Sequence, residues 1–240
     1  MDATTLDRPS VTDGRAGSSP QASGHHGCRE VVFMIHGLWM GRWIMAPLAT
    51  RLRRAGMETR LFGYHTVTRS SDRLVDELGA ALAEIDADVI HIVAHSLGGL
   101  LVGAHLLGPA PDPRIDRIVT IGTPHHGSAL ARAFTRHRLG RVLVGANSAL
   151  LRTGLPGWPR DRPTLNIAGT RRIGLDLIFR TLPHPNDGIV STRETRLPPP
   201  ARNVRFHLNH SGLLFSRQVA RCVIDFLHPT RALQAPEPIT

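Results

Sequence analysis

Residues 94–99, with the sequence AHSLGG, surround Ser96 with features that a nucleophile needs. The apolar run 89–93 directly before them predicts a buried strand, and small residues beside Ser96 let a helix start close to it. A strand, a tight turn and a helix in this order hold a serine in a strained conformation and expose its hydroxyl. An ordinary helix N-cap uses serine too, and Ala94 stands where the common GxSxG pattern has glycine. Ser96 is thus a candidate that needs partners elsewhere.

A nucleophilic serine needs a general base, and that base needs an acid to orient it. Asp187 lies in a turn of sequence PNDGIVS at residues 185–191, and His210 directly follows the last predicted strand. Both are therefore predicted in loops between regular elements, in the order serine, acid, histidine. An aspartate before glycine is also a common turn former, so other acids and histidines stay open. These are Asp161, Asp176, His184, His207 and His228.

Acyl chemistry at Ser96 also needs donors for a developing oxyanion, and backbone N–H groups supply them best. The residue after the nucleophile, Leu97, offers one N–H. The loop after the first buried strand, HGLW at residues 36–39, offers the second, and Gly37 permits a close approach. We expect the second donor to be the N–H of Leu38, although an ordinary strand-to-helix turn has the same sequence. His36 is interpreted as structural.

The elements that must position these residues alternate along the chain. Apolar runs predict buried strands, and apolar residues at helical spacing predict the helices between them. Repeated βα units indicate an α/β fold with a doubly wound, mostly parallel sheet, whose ligands lie at the carboxyl ends of the strands. The predicted strands are 31–36, 58–63, 89–94, 115–121, 164–168 and 204–208, and the predicted helices are 43–55, 70–85, 97–107 and 212–227.

The domain organisation follows from composition. Residues 1–28 contain few apolar side chains and predict a disordered tail, residues 29–228 predict one α/β domain, and residues 229–240 predict a flexible tail. The segment 128–163 is too long for an ordinary connection and contains apolar residues at helical spacing, which favours a small helical cap over a purely structural excursion.

The overall composition excludes several classes of protein. The 240 residues carry a formal net charge of +10, but every basic residue is arginine and these arginines are scattered. With only 5% aromatic residues, this pattern argues against nucleic-acid binding and leaves at most peripheral contact with an acidic membrane surface. Neither a signal peptide nor an apolar membrane span is seen, so a cytoplasmic location is expected. The two cysteines, Cys28 and Cys222, predict no disulfide or metal site.

Five motifs together resemble the bacterial triacylglycerol lipase and esterase branch of the α/β-hydrolases, and also glycosylphosphatidylinositol inositol-deacylase-like proteins. The resemblance covers about residues 30–228 and implies Ser96 as nucleophile, His210 as base and Asp187 as acid. The motifs are HGL at 36–38, AHSLGG at 94–99, GTPHHGS at 122–128, NDGIVS at 186–191 and NH at 209–210.

The chain departs from that branch in one respect that concerns metals. Some of these lipases have a calcium site with acids just after the catalytic histidine, whereas Ser211 and Gly212 follow His210 here. The histidine pairs 25–26 and 125–126 lie in the predicted tail and in a motif that the family uses structurally. We therefore predict no metal and no cofactor.

The resulting hypothesis is hydrolysis of carboxylic esters, of lipids or other small molecules, through an acyl-enzyme. Trp39, Met40 and Leu213 are candidate walls for the acyl chain, although they are equally plausible as core residues. The same triad would serve an acyltransferase or a thioesterase, since only the acceptor or the leaving group differs. A non-catalytic binding module on the same fold would need a broken triad position, and the sequence shows none.

Overall fold

The computed structural model describes residues 28–228. The two predicted tails, apart from Cys28, lie outside these residues. The described part is built on one six-stranded sheet in the order β2-β1-β3-β4-β5-β6, and every pairing is parallel. The strands are β1 (Glu30–Ile35), β2 (Glu58–Phe62), β3 (Val89–His95), β4 (Ile115–Ile121), β5 (Thr164–Gly169) and β6 (Arg202–Phe206).

Helices connect successive strands and cover both faces of the sheet. A 3-10 turn at Arg42–Met45 leads into α1. The helices are α1 (Ala46–Arg54), α2 (Ser71–Ala83), α3 (Leu97–Leu106), α4 (Ala129–Phe134), α5 (Arg138–Val144), α6 (Ser148–Thr153), α7 (Asp176–Phe179), α8 (Thr192–Thr195), α9 (Gly212–Phe215) and α10 (Arg217–Leu227).

Two apolar clusters bury the two faces of the sheet. On one face, α2 and α3 pack against β1 and β3, with side chains such as Leu78 and Leu100 fully or almost fully buried. On the other face, α1, α9 and α10 pack through Leu48 and Val223. Since the central strands are buried on both sides, they read as near-continuous apolar runs. The predicted doubly wound α/β class is confirmed.

The longest excursion of the chain lies between β4 and β5. It contains α4, α5 and α6, with a 3-10 turn at Gly145–Asn147, and it occupies the segment predicted as a cap. The side chain of Asn147 ties it to the main body by donating to the carbonyls of Thr66 (2.7 Å) and Arg69 (3.1 Å). A second excursion, between β5 and β6, contains α7 and α8.

Several predicted boundaries differ from the structure by a few residues, and two of the differences have a clear local cause. The last strand is Arg202–Phe206 rather than 204–208, because its partner β5 ends at Gly169, which pairs with Phe206. The closing helix is not continuous from 212 to 227. Ser216 has extended backbone angles and its hydroxyl accepts from the N–H of Val219, so it ends α9 and starts α10 as an N-cap.

Among residues 28–228, the structure contains no helix with the length and apolar character needed to cross a lipid bilayer.

Candidate active site

Ser96 sits at the sharp turn between β3 and α3. Its backbone has φ 54° and ψ −121°, a conformation that non-glycine residues rarely adopt and that costs about 1–3 kcal/mol. The N–H of Ser96 donates to the carbonyl of Ile121 on β4 at 2.9 Å, which anchors the turn to the neighbouring strand. The strained turn leaves the side chain at the carboxyl end of the sheet rather than inside it.

Small residues after Ser96 make this turn possible. A Cβ atom on Gly98 would lie 2.6 Å from the carbonyl oxygen of His36 and 2.8 Å from the side chain of Ile35. Only glycine therefore lets the first turn of α3 pack against the end of β1. The close packing of α3 on the sheet therefore explains why glycine follows Leu97 in the sequence.

His210 and Asp187 are joined by a short buried hydrogen bond. The Nδ1 atom of His210 donates to Oδ2 of Asp187 at 2.7 Å, and the backbone N–H of His210 donates to the carbonyl of Asp187 at 3.1 Å. The other carboxylate oxygen of Asp187 accepts from the N–H groups of Ile189 (2.9 Å) and Val190 (2.8 Å). With Nδ1 protonated, a neutral His210 has its lone pair on Nε2, the atom a general base uses.

Asp176 supports the loop that carries Asp187. It is completely buried, and its carboxylate accepts from Arg172 Nε (2.6 Å), from the N–H of Leu182 (2.9 Å) and from Asn186 Nδ2 (3.2 Å). Burial alone would raise the pKa of Asp176, but the hydrogen bond from Leu182 and the ion pair with Arg172 outweigh it and lower that pKa. Asp176 was a rival candidate for the acid, whereas here it contacts Asn186, the residue before Asp187.

The loop after β1 passes directly beside the turn that carries Ser96. A Cβ atom on Gly37 would lie 2.9 Å from Cβ of Ser96 and 3.0 Å from Nδ1 of His95, so only glycine fits at this approach. Within residues 28–228, neither Leu38 nor Leu97 has a hydrogen-bond acceptor for its backbone N–H. Two unused donors therefore flank Ser96, as an oxyanion site requires.

Trp39 connects this loop to the cap. Its backbone has φ 59°, its N–H donates to the hydroxyl of Thr66 at 3.1 Å, and its indole Nε1 donates to the carbonyl of Leu143 in α5 at 2.7 Å. The ring is still about half exposed. The loop after β1 and the segment predicted as a cap thus share a direct contact.

Ser96 and His210 line the same apolar pocket at the carboxyl end of the sheet. The pocket volume is about 150 Å³. Its walls come from the loop after β1, the cap segment between β4 and β5, and the segments beside α7 and Asp187. Besides Ser96 and His210 they include Gly37, Leu38, Trp39, Met40, His95, Pro124, Ser128, Leu130, Ala131, Phe134, Val144, Leu151, Leu175, Ile189, Val190 and Ser211.

His95 is a polar group of this pocket that the sequence reasoning missed. The side chain is completely buried, and its ring centroid lies 4.6 Å from that of His210. Neither ring nitrogen has a side-chain hydrogen-bond partner within the described residues, and the polar group near the ring is the backbone of His210. Burial lowers the pKa of His95 well below its usual range, and the neighbouring His210 lowers it further. His95 is therefore a neutral imidazole beside the predicted base.

Comparison with known proteins adds information on the fold. No protein-family model matches the chain, and no curated protein matches it in sequence. Solved structures do match. A lipase of Bacillus licheniformis in its mature form aligns with a TM-score of 0.61 and 20% identity, covering 86% of this chain and 92% of that one. The chain has the α/β-hydrolase fold.

Two further α/β-hydrolase structures show the same architecture. The meta-cleavage product hydrolase of Pseudomonas fluorescens aligns with a TM-score of 0.61 and 16% identity, covering 85% of this chain and 92% of that one. An extracellular α/β-hydrolase of a Paenibacillus species aligns with a TM-score of 0.57 and 13% identity, covering 83% and 98%. At such identities the likeness establishes the fold alone.

Not every residue predicted for the site of this α/β-hydrolase fold lies in the pocket. Trp39 and Met40 line it, but Leu213 does not. Although Leu213 is close to His210 in sequence, α9 turns its side chain into the core, where it is completely buried against the sheet, α1 and α10. Ser211, rather than Leu213, is the residue after His210 that reaches the pocket wall.

The histidine pair at 125–126 is split between two environments. His125 Nε2 donates to the hydroxyl of Thr120 at 3.2 Å, and its ring packs edge-on against Trp158. His126 Nε2 donates to the carbonyl of Arg196 at 2.7 Å. In the described part of the chain no three His, Cys, Asp or Glu side chains are grouped as metal ligands. The pair at 25–26 lies outside that part, and Cys28 and Cys222 are free.

Proposed function

We propose that the protein is a serine hydrolase of carboxylic esters that works through an acyl-enzyme, with Ser96, His210 and Asp187 as its triad. The observation that carries this proposal is the strained conformation of Ser96 in the same pocket as a histidine whose Nδ1 donates to a buried aspartate. Strain at a polar residue that lines a pocket is typical of a functional position.

The reaction follows from these positions. Oγ of Ser96 attacks the ester carbonyl carbon while Nε2 of His210 accepts the hydroxyl proton, and the N–H groups of Leu38 and Leu97 bind the oxyanion. The bond to the alcohol oxygen then breaks, and His210 gives its proton to that oxygen. Water attacks the acyl-enzyme with His210 again as base, which releases the carboxylic acid and restores Ser96. Asp187 orients the imidazole throughout.

The pocket favours a small acyl group. An apolar cavity of roughly 150 Å³ is known to hold a molecule the size of benzene. Because the pocket here has about that volume, the acyl group of a short or compact acid fits inside it. Trp39, Met40 and the apolar cap residues form the acyl walls in this proposal.

The test combines turnover with covalent labelling. The parent protein is expected to hydrolyse a short p-nitrophenyl ester and to be labelled at Ser96 by a fluorophosphonate, whereas Ser96→Ala retains its fold and does neither. Ser128→Ala is a matched control, since Ser128 lines the same pocket and caps α4. Turnover by Ser96→Ala at the parental rate would contradict the proposal. Replacing water with an alcohol as acceptor separates hydrolysis from acyl transfer.

A further inference from the structure

Two short helices beside the pocket expose an unusual number of large apolar side chains. They are α5 in the cap and α7 in the excursion after β5. Their exposed apolar residues together are named the mouth surface. Its members are Leu139 (72% exposed), Val142 (71%), Leu143 (43%), Leu177 (52%), Ile178 (74%) and Phe179 (45%).

The two halves of the mouth surface belong to one region. Val144, the last residue of α5, and Leu175, the residue before α7, line the same pocket. The rings of Phe134 and Phe179 also meet at 4.7 Å, which packs α7 against the end of α4. The exposed side chains of α5 and α7 therefore flank the pocket that contains Ser96.

The charges around the mouth surface have one sign. Residues 128–160 contain no aspartate or glutamate but six arginines. Those six are Arg132, Arg136, Arg138, Arg141, Arg152 and Arg160.

The exposed arginines on α5 and beside α7 have no acidic partner among the described residues. Arg138 and Arg141 lie on α5, Arg171 and Arg180 lie beside α7, and all four are exposed. None of their side chains has a carboxylate partner among residues 28–228. The one acid of α7, Asp176, is buried and paired with Arg172.

We infer that the mouth surface docks on an anionic lipid surface. Exposed Leu, Val, Ile and Phe side chains gain free energy when they enter the boundary between headgroups and acyl chains, and unpaired arginines gain from anionic lipid phosphates. A second copy of the chain fits this face poorly, because a two-fold dimer would place the arginines of one copy against those of the other. The inference rests on the mouth surface alone and is independent of the proposed reaction.

The test measures binding of the full chain to vesicles by sedimentation, with Ser96→Ala throughout so that no lipid is hydrolysed. We expect binding to vesicles of phosphatidylglycerol and phosphatidylcholine in equal parts, much weaker binding to pure phosphatidylcholine, and loss of the difference at high salt. The double variant Arg138→Gln/Arg141→Gln is expected to bind about thirtyfold more weakly, from about 1 kcal/mol for each cation. Leu139→Ser/Ile178→Ser is expected to bind at least about tenfold more weakly.

Matched variants at the opposite end of the sheet serve as controls. Arg54→Gln/Arg221→Gln removes the same charge from exposed positions on α1 and α10, and Leu107→Ser removes an apolar side chain that is 44% exposed at the end of α3. Both are expected to bind like their parent. In the background that retains Ser96, the mouth-surface variants are expected to hydrolyse a soluble ester at the parental rate, which shows that they are folded.

Three results would overturn the inference. The first is no sedimentation with anionic vesicles, and the second is equal weakening by the mouth-surface and control variants. The third is self-association of the parent in sedimentation velocity that Leu139→Ser/Ile178→Ser abolishes, which would assign the surface to a second copy instead. Since all binding is measured without Ser96, none of these results bears on the triad.

Discussion

The strand β3 carries one histidine near each end, and the two have opposite surroundings. His91, at the amino end, lies 3.4 Å from a carboxylate oxygen of Glu30 and 3.7 Å from one of Asp116. His95, at the carboxyl end, is more deeply buried and has no carboxylate or other side-chain partner for either nitrogen within the described residues. Most buried side-chain atoms without a hydrogen-bond partner in the described residues lie at the carboxyl end, near the pocket, and Thr59 Oγ1 is the exception near the amino end.

The same contrast extends to other groups at the two ends. At the amino end, Glu58 and Asp112 pair with nearby arginines. At the carboxyl end, Ser96 and Trp39 have strained backbones, and the N–H groups of Leu38 and Leu97 have no acceptor within residues 28–228. Unsatisfied groups cost stability, so their concentration at one end indicates where a ligand is expected. Variants at matched positions of the two ends test this contrast.

The largest expected effect comes from Asp187→Asn. The amide cannot hold His210 in the tautomer that the proposed mechanism needs, so kcat on a soluble ester is expected to fall about ten-thousandfold with little change in fold. Asp116→Asn is the matched variant at the amino end. It removes a carboxylate beside His91 and is expected to leave kcat unchanged. Equal losses in the two variants would contradict a special role for the carboxyl end.

Gly37→Ala is expected to have the next largest effect. The added methyl group would lie 2.9 Å from Cβ of Ser96, so the loop after β1 must shift away from Ser96. We expect kcat to fall about a hundredfold or more, as when one oxyanion donor is lost, while KM changes little. Gly157→Ala is the control, because a Cβ there meets nothing within 4 Å. Unchanged kcat in Gly37→Ala would remove Leu38 from the proposal.

Asp176→Asn is expected to act mainly on stability. The variant weakens hydrogen bonds to a charged acceptor, so the free energy of unfolding at pH 7 is expected to fall by about 1–3 kcal/mol. Because the pKa of Asp176 is lowered in the folded state, its contribution is present above the unfolded value of about 3.9 and is lost as the pH falls through the folded value. Urea unfolding at pH 7 and pH 3 measures this.

Asp112 at the amino end provides the comparison for Asp176. Its pKa is also lowered, chiefly by the hydrogen bond from Arg114, so Asp112→Asn should show the same sign of pH dependence. Only Asp176→Asn is expected to lower kcat as well, since Asp176 holds Asn186 beside Asp187. A loss of kcat in both variants would show a general effect of stability instead.

At pH 7 the smallest expected effect comes from the buried histidines, which act through a slope of stability at lower pH. Burial lowers the pKa of His125, beyond the end of β4, to about 3. The unfolded chain binds a proton at about pH 6.5 and the folded chain does not, so stability falls as the pH drops from about 6.5 towards 3, by up to about 1.4 kcal/mol per unit. His125→Asn is expected to remove this slope in urea unfolding between pH 6 and pH 4.

His91→Asn is the matched measurement for that slope. Burial also lowers the pKa of His91, but Glu30 and Asp116 counteract it. A smaller change of slope is therefore expected in His91→Asn than in His125→Asn. The opposite order would show that burying a neutral histidine lowers the free energy of unfolding more at the amino end than at the carboxyl end.

The sequence predicted the fold well because strands buried on both faces leave continuous apolar runs. The strand Ile115–Ile121 matches its predicted bounds, whereas β6 at the edge of the sheet, with exposed arginines, is displaced by two residues. The closing helix was wrongly predicted as continuous, because Ser216 acts as an N-cap inside an apolar periodicity. An edge strand or a capping residue is a weaker signal of an element's bounds than a continuous apolar run of a buried strand.

The candidate site could be predicted in part. Ser96 and His210 lie shortly after β3 and β6, and Asp187 lies in the excursion between β5 and β6. Their order along the chain is informative, and their roles stay predictions until the variants are measured. The support from Asp176 was missed, although Arg172 four residues earlier gave a sign of an ion pair. The direction of Leu213 could not be predicted, because adjacency to His210 does not reveal which way a short helix turns its side chains.

The hydrogen bond from the indole of Trp39 to the carbonyl of Leu143 has a mechanical consequence. Because the bond is only 2.7 Å long, α5 cannot move away from the rest of the domain unless the bond breaks or the loop after β1 moves with it. Leu38 immediately precedes Trp39, and its N–H would move with the loop. Any displacement of α5 that keeps this bond would therefore also displace the N–H group that we propose as an oxyanion donor.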